Sequence, residues 1–323
     1  MLRPILIFLM DVSIYLLLFY ALLQANSIGL KLLYSLSMGA MTGILFIVGH
    51  DSCHGSFTKN KLMNGLLGRL SFLPSFHSFS LWELGHNKTH HAFTNHKDKD
   101  YVYTPLSPQE YKALSPFKQF MYRVYRHPLG HGFYYSHNIW LPKIIFPFKN
   151  IPHIEKENKT ILWLDFLLLV SFLALLVGVS VYFADGTLSS IAINIFTIIL
   201  LPVWTWNWII GFLILQHHTN EHTRWYNKDE EWHFWEVQME DTVHIKFPGP
   251  LNFIMHNIME HTAHHSNMQI PLYNLRQAQT DMEQNFAGRV NIVEWTPKFY
   301  LDSMRACKLY DYENHKWLKF SDI

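Results

Sequence analysis

Twenty-one of the 323 residues are histidine, and thirteen of these crowd into four short windows: HDSCH at 50–54, HNKTHHAFTNH at 86–96, HHTNEH at 217–222 and HNIMEHTAHH at 256–265. Chance does not gather imidazoles in this way. On a helix, residues three or four apart share a face with Cβ atoms ~5–6 Å apart. His50 with His54, His86 with His90, and His261 with His264 and His265 are therefore expected to converge. Converging neutral imidazoles bind metal, and iron, zinc, copper and nickel all accept that donor. In the third window His217, His218 and His222 could each point inward, and one of them suffices. The isolated histidines, His77, His127, His131, His137, His153, His233, His244 and His315, read as surface or hydrogen-bonded residues.

The elements that hold these windows are apolar blocks. Residues 4–24 (PILIFLMDVSIYLLLFYALLQ) and 28–49, broken only by Lys31, are each long enough to cross a bilayer, which takes ~20 helical residues at ~1.5 Å each. A second pair covers 161–183 and 188–216 across the turn Ala184-Asp185-Gly186, and Pro202 is expected to kink the last of them. Arg3, Asp11, Lys31, Asp165 and Asp185 are the only charged residues in 1–49 and 160–216. Buried helices of a soluble bundle keep a polar stripe, whereas these are apolar nearly all round and read as membrane spans. The first lacks the basic start and small-residue cleavage site of a signal peptide, so it is expected to be retained. Two hairpins place residues 1–3, 50–160 and 217–323 on one side, with every Lys and Arg except Lys31. That asymmetry marks a cytosolic face. The first and third histidine windows then sit where spans leave the bilayer, a costly place for polar groups without a function. Residues 62–81 (LMNGLLGRLSFLPSFHSFSL), interrupted by Arg69 and Pro74, read as an interfacial or re-entrant helix. The expected architecture is an all-α integral membrane protein: four transmembrane helices in two hairpins under a cytosolic, histidine-rich helical cap, as one domain over 1–323.

Composition narrows the chemistry. With 26 Lys+Arg against 25 Asp+Glu there is no charge excess to attract nucleic acid. Two cysteines, Cys53 and Cys307, make neither a disulfide framework nor an iron–sulfur centre. Any electrons must come from a separate protein. A zinc hydrolase uses three protein ligands, fewer than are on offer, and no H-E-x-x-H motif is present. A metal transporter would carry ligands inside its spans, and these spans hold no histidine before their cytosolic ends.

The runs His50-Asp51-Ser52-Cys53-His54, His86-Asn87-Lys88-Thr89-His90-His91 and His261-Thr262-Ala263-His264-His265 resemble the boxes HxxxH, Hxx(x)HH and HxxHH of the membrane-bound fatty acid desaturases and related hydroxylases. Two spans before the first box and two between the second and third also match. GHDSCHGSF, HHAFTN with Asp100 and Pro105-Leu106-Ser107, and HHSNMQIPLYNLRQAQ resemble the acyl-lipid branch. The resemblance covers almost the whole chain. It implies two non-haem irons held by His50, His54, His86, His90, His91, His217, His261, His264 and His265, with His218 and His222 as alternatives to His217 in Leu215-Gln216-His217. Asp51, Asp100 and Glu260, and also Asn95, Asn220 and Glu221, are near enough in sequence to orient those rings. It further implies dioxygen as co-substrate, a fatty acyl lipid as substrate, and a ferredoxin-like protein or a b-type cytochrome with its reductase as electron donor. Such chemistry suits an unactivated methylene, which has no acidic proton and no leaving group. Box two carries three residues rather than the commoner two between its first and second histidines, a spacing that alkane-hydroxylating and oxygenase relatives share. Hydroxylation of a fatty acid or hydrocarbon on the same scaffold therefore stands beside desaturation.

Overall fold

The structure is a computed structural model that describes residues 2–145 and 159–323. His153, with residues 146–158 of the expected cap, lies outside them. The protein is mostly helical. Leu2–Gln24, Ile28–Cys53, Lys159–Tyr182 and Leu188–His218 are long and apolar enough to cross a membrane, within a few residues of the expected spans. In their most apolar stretches 17% and 22% of the first and third is buried, against 61% and 50% of the second and fourth. The first and third thus turn most of their surface outward, as lipid-facing helices do, and the second and fourth form the interior.

The chain divides into two compact units, Met1–Glu83 with Trp140–Ile209 and Leu84–Ile139 with Ile210–Ile323. In the first unit, the second span starts at Ser27, whose side chain accepts from the Leu30 N–H. It runs close against the fourth span because Gly39 and Gly43, four apart, leave room: a Cβ on Gly39 would lie 2.5 Å from the Thr205 Cβ, and one on Gly43 3.0 Å from the Trp206 ring. Small residues at this spacing let helix backbones approach in a membrane. The fourth span is not uniformly α-helical. Phe196–Leu200 takes a π turn, just ahead of Pro202, whose missing N–H and ring disturb the ladder one turn back. The stretch after the second span forms a helix over Lys61–Phe72, a short 3-10 turn over Leu73–Ser75, and a helix over Phe79–Gly85. Leu62, Leu66 and Leu70, four apart, are exposed, while Asn64, Leu67, Gly68 and Ser71 are buried. The helix is therefore amphipathic. Arg69 on it donates from Nε to Asp165 of the third span at 2.6 Å, and the same carboxylate accepts from the Ser80 N–H at 2.8 Å. A carboxylate inside an apolar helix is tolerated when it is paired in this way.

The second unit carries boxes two and three on short helices. Its β structure is slight: Val243–Lys246 pairs in parallel with Asn291–Glu294, and Leu309–Asp311 antiparallel with Lys316–Leu318. Strands of three or four residues are too short to write an alternating pattern that sequence reading would detect.

Candidate metal centre

Box one lies in the first unit, where the second span stays helical through Cys53. One turn apart, His50 and His54 bring their Nε2 atoms to 3.4 Å, and both are buried. Asp51 Oδ1 lies 3.5 Å from His50 Nδ1, which makes it a charge neighbour and not a well-formed hydrogen bond.

Box two is built differently from the α-helix expected of it. His86–His90 is a turn of π-helix, closed by the His91 N–H donating to the His86 carbonyl at 2.9 Å. Hydrogen bonding from i+5 to i widens the turn, so residues five apart come onto one face. His86 accordingly brings its Nε2 to 3.1 Å from that of His91, while its ring stacks on that of His90 with centroids 5.4 Å apart. The extra spacer residue of this box is what the wider turn accommodates.

Box three is a single turn over His261–Ser266, and it too is shared out. His264 Nε2 lies 3.1 Å from His91 Nε2. His261 Nε2 lies 3.0 Å from the Nε2 of His218 at the end of the fourth span. Two sets result in this unit: His86, His91 and His264, and separately His90, His218, His261 and His265, each with ligand nitrogens within 4.8 Å of one another. The third window contributes His218. His217 stacks its ring on that of His261, centroids 3.8 Å apart and planes at 16°, and His222 is exposed.

Spacing, burial and charge all suit a cation. Two ligands at right angles, each ~2.1 Å from one ion, lie ~3.0 Å apart, and the closest nitrogen pairs stand at 3.0 to 3.1 Å. All seven imidazoles are buried. Burial, reinforced by neighbouring imidazoles, holds His261 and His265 well below the ordinary histidine value, so both are neutral with a lone pair to give. His265 Nε2 is buried with no hydrogen-bonding partner among the described residues. Such an atom is expensive unless something binds it. Neither set includes a carboxylate or a thiolate among the described residues, so the donors are all borderline nitrogens, which fit iron or zinc.

Of the acidic neighbours, Asp100 orients a ring. Both its oxygens lie 3.1 Å from His90 Nδ1, and the Asn95 and Val102 N–H groups, each at 3.0 Å, hold the carboxylate in place. Glu260 does not back a box histidine; it accepts from Asn252 at 3.0 Å and pairs with His244 Nε2 at 2.7 Å. His244 is also bound by Glu283 through Nδ1. Burial pulls the His244 value down, but the hydrogen bonds and charges of Glu260 and Glu283 outweigh it and the value is raised. Asn95 spans from box two to the Arg224 and Asp241 carbonyls, at 3.0 and 2.9 Å, and Asn220 closes a local turn onto His222 and Thr223. Glu221 is exposed. Sequence reading missed Gln238, which touches both box two and box three. It lies 27 residues from His265, in no histidine window, and only its burial gives it away.

Comparison with known proteins places this geometry in context. A family model described as fatty acid desaturase matches residues 28–296. The chain is 30% identical over 286 residues to the sn-1 oleoyl-lipid 12-desaturase of Picosynechococcus sp., covering 87% of this chain and 76% of that protein. It is 27% identical over 279 residues to the chloroplastic omega-6 fatty acid desaturase of Arabidopsis thaliana, covering 85% of this chain and 58% of that one. Against the sn-1 acyl-lipid omega-3 desaturase (ferredoxin) of Synechocystis sp. the identity is 28% over 264 residues, 76% of this chain and 65% of the relative.

Proposed function

The chain belongs to the fatty acid desaturase family, and we propose that it converts two adjacent methylenes of a lipid-borne fatty acyl chain into an alkene. The reaction consumes dioxygen, two electrons from a separate donor protein and two protons, and releases two waters. The observation that carries the reading is the pair of buried, nitrogen-only ligand sets in the second unit. Iron bound there supplies oxidation strong enough to remove hydrogen from carbon that no acid or base can deprotonate.

The residues' part is to hold the metal and to orient the rings that bind it. His90, His218, His261 and His265 are assigned to one iron, and His86, His91 and His264 to the other, with His50 and His54 completing the set that the family resemblance implies. Asp100 keeps the proton on His90 Nδ1 by accepting from it, which directs Nε2 at the metal. Burial keeps bulk water from the imidazoles, and the four spans give access to lipid. The excess of Lys and Arg outside the spans supports a cytosolic location for the boxes. With two buried cysteines and no place for an iron–sulfur cluster between them, electrons are supplied by a partner; the ferredoxin in the name of the Synechocystis relative makes a ferredoxin-like donor the first to try. Both compact units are taken to act as one functional domain.

Isotopes test the outcome. The iron-loaded protein, given dioxygen, a reductase system and an acyl lipid deuterated along its chain, should yield an alkene that has lost two deuteriums and gained no oxygen. A product that loses one deuterium and carries label from ¹⁸O₂ would make the protein a hydroxylase.

A further inference from the structure

Gln238 is completely buried on the helix Phe234–Glu240, and each end of its amide meets a histidine box. Its Nε2 lies 2.9 Å from the carbonyl oxygen of His91. A carbonyl only accepts, so the amide nitrogen must face it, and this fixes which way round the amide sits. Oε1 then faces His265 Nδ1 at 2.8 Å and the Thr94 hydroxyl at 3.1 Å. Thr94 has the His90 carbonyl at 2.7 Å as a second place for its one proton. An amide oxygen also only accepts, so the proton shared with His265 must reside on Nδ1. The His265 Nε2, buried and without a hydrogen-bonding partner among the described residues, is therefore a bare lone pair.

We propose that Gln238 is a positioning residue for the metal: it joins box two to box three and sets the His265 tautomer that presents Nε2 as a ligand. This rests on the metal-centre reading above. The role requires a donor and an acceptor on one side chain of this length, since His91 asks for the first and His265 for the second. Glutamate keeps the acceptor and loses the donor. Leucine, of similar size, loses both and leaves His265 Nδ1 only the longer contact with the Thr94 hydroxyl, at 3.3 Å. It also explains why a neutral amide backs His265 while a carboxylate backs His90 in the same ligand set: only the amide can also bond a carbonyl.

The test uses the full-length protein in detergent, loaded with iron(II), measuring iron per chain, its rate of loss to a chelator, and the Mössbauer spectrum. Gln238→Leu should lose iron ~10–100-fold more readily than wild type, the range usual for removing such an orienting partner. Gln238→Glu should hold iron nearly as wild type does, yet shift the quadrupole doublet of one iron and spare the other. Gln277→Leu, on an exposed face of Leu275–Asn285, should match wild type throughout. Wild-type retention in Gln238→Leu, an equal acceleration in the Leu and Glu variants, or an unchanged spectrum in Gln238→Glu would overturn the inference. Should the leucine variant not fold, the spectrum of the near-isosteric glutamate variant decides. If wild type itself holds no more iron than His264→Ala does, the metal-centre reading falls and takes the inference with it; if it holds iron and the Gln238 variants behave identically, the inference alone falls.

Discussion

His217 and His218 are chemically identical neighbours, and a single bond separates their roles. Successive helical residues project ~100° apart, so one of the two can face His261 Nε2 and the other cannot. His218 does so at 3.0 Å, and His217 is left to stack on the His261 ring. We propose that stacking orients His261 and that ligation falls to His218 in place of His217. His218→Ala is accordingly expected to lower bound metal and abolish turnover, whereas His217→Ala should retain more metal, measured as iron per chain after gel filtration. The reverse order would return the ligand role to His217. His315→Ala, whose Nδ1 lies near the Trp225 carbonyl at 3.2 Å, should change neither quantity.

Among the elements, one turn of π-helix bears on the box residues and another on the fourth span. The π turn at His86–His90 redistributes box two between the ligand sets, sending His86 and His91 to one and His90 to the other. The second, at Phe196–Leu200, adjusts the fourth span ahead of Pro202. The hold of the fourth span on the second depends on Gly39. A Cβ there would come within 2.5 Å of the Thr205 Cβ and 2.8 Å of the Pro202 carbonyl oxygen. Gly39→Leu should therefore destabilise the protein by at least the ~1–3 kcal/mol of ordinary overpacking, seen as a lower thermal midpoint in detergent. Gly178→Leu in the third span, where nothing lies within 4 Å of the added carbon, should leave the midpoint unchanged. Equal effects would show that helix propensity, and not close approach, governs these glycines.

For the molecule as a whole, the four helices among the described residues that are long and apolar enough to cross a membrane would give an even number of crossings, so residues before the first and after the last would share a side. The Lys and Arg excess on that side is the ground for proposing that it is cytosolic. Single cysteines at Gly186, in the turn between the third and fourth spans, and at Ser321, exposed near the C-terminus, report on it directly. Both native cysteines are buried, so background labelling is low. A membrane-impermeant thiol reagent added outside intact cells should label the Gly186 position and spare Ser321. Labelling of Ser321 alone would invert the orientation.

What the amino-acid sequence determined on its own is set by composition and short-range periodicity. Twenty or more apolar residues in a row have few alternatives to a membrane-spanning helix, so the spans were legible to within a few residues. Imidazoles at box spacing pointed to metal binding, and Asp100, ten residues from His90, was close enough to stand among the candidates for orienting the box rings. Assignment within the cluster was not legible. Helical spacing predicts that His86 and His90 converge; their rings do stack, with centroids 5.4 Å apart, but the two fall in different ligand sets. Glu260 was near enough in sequence to orient a box ring, but its carboxylate turns to His244. Gln238 shows the limit most plainly, because it meets His91 and His265 across long stretches of chain. Metal ligation and its supporting hydrogen bonds depend on directions in space, and those are settled only when segments distant in sequence pack against one another.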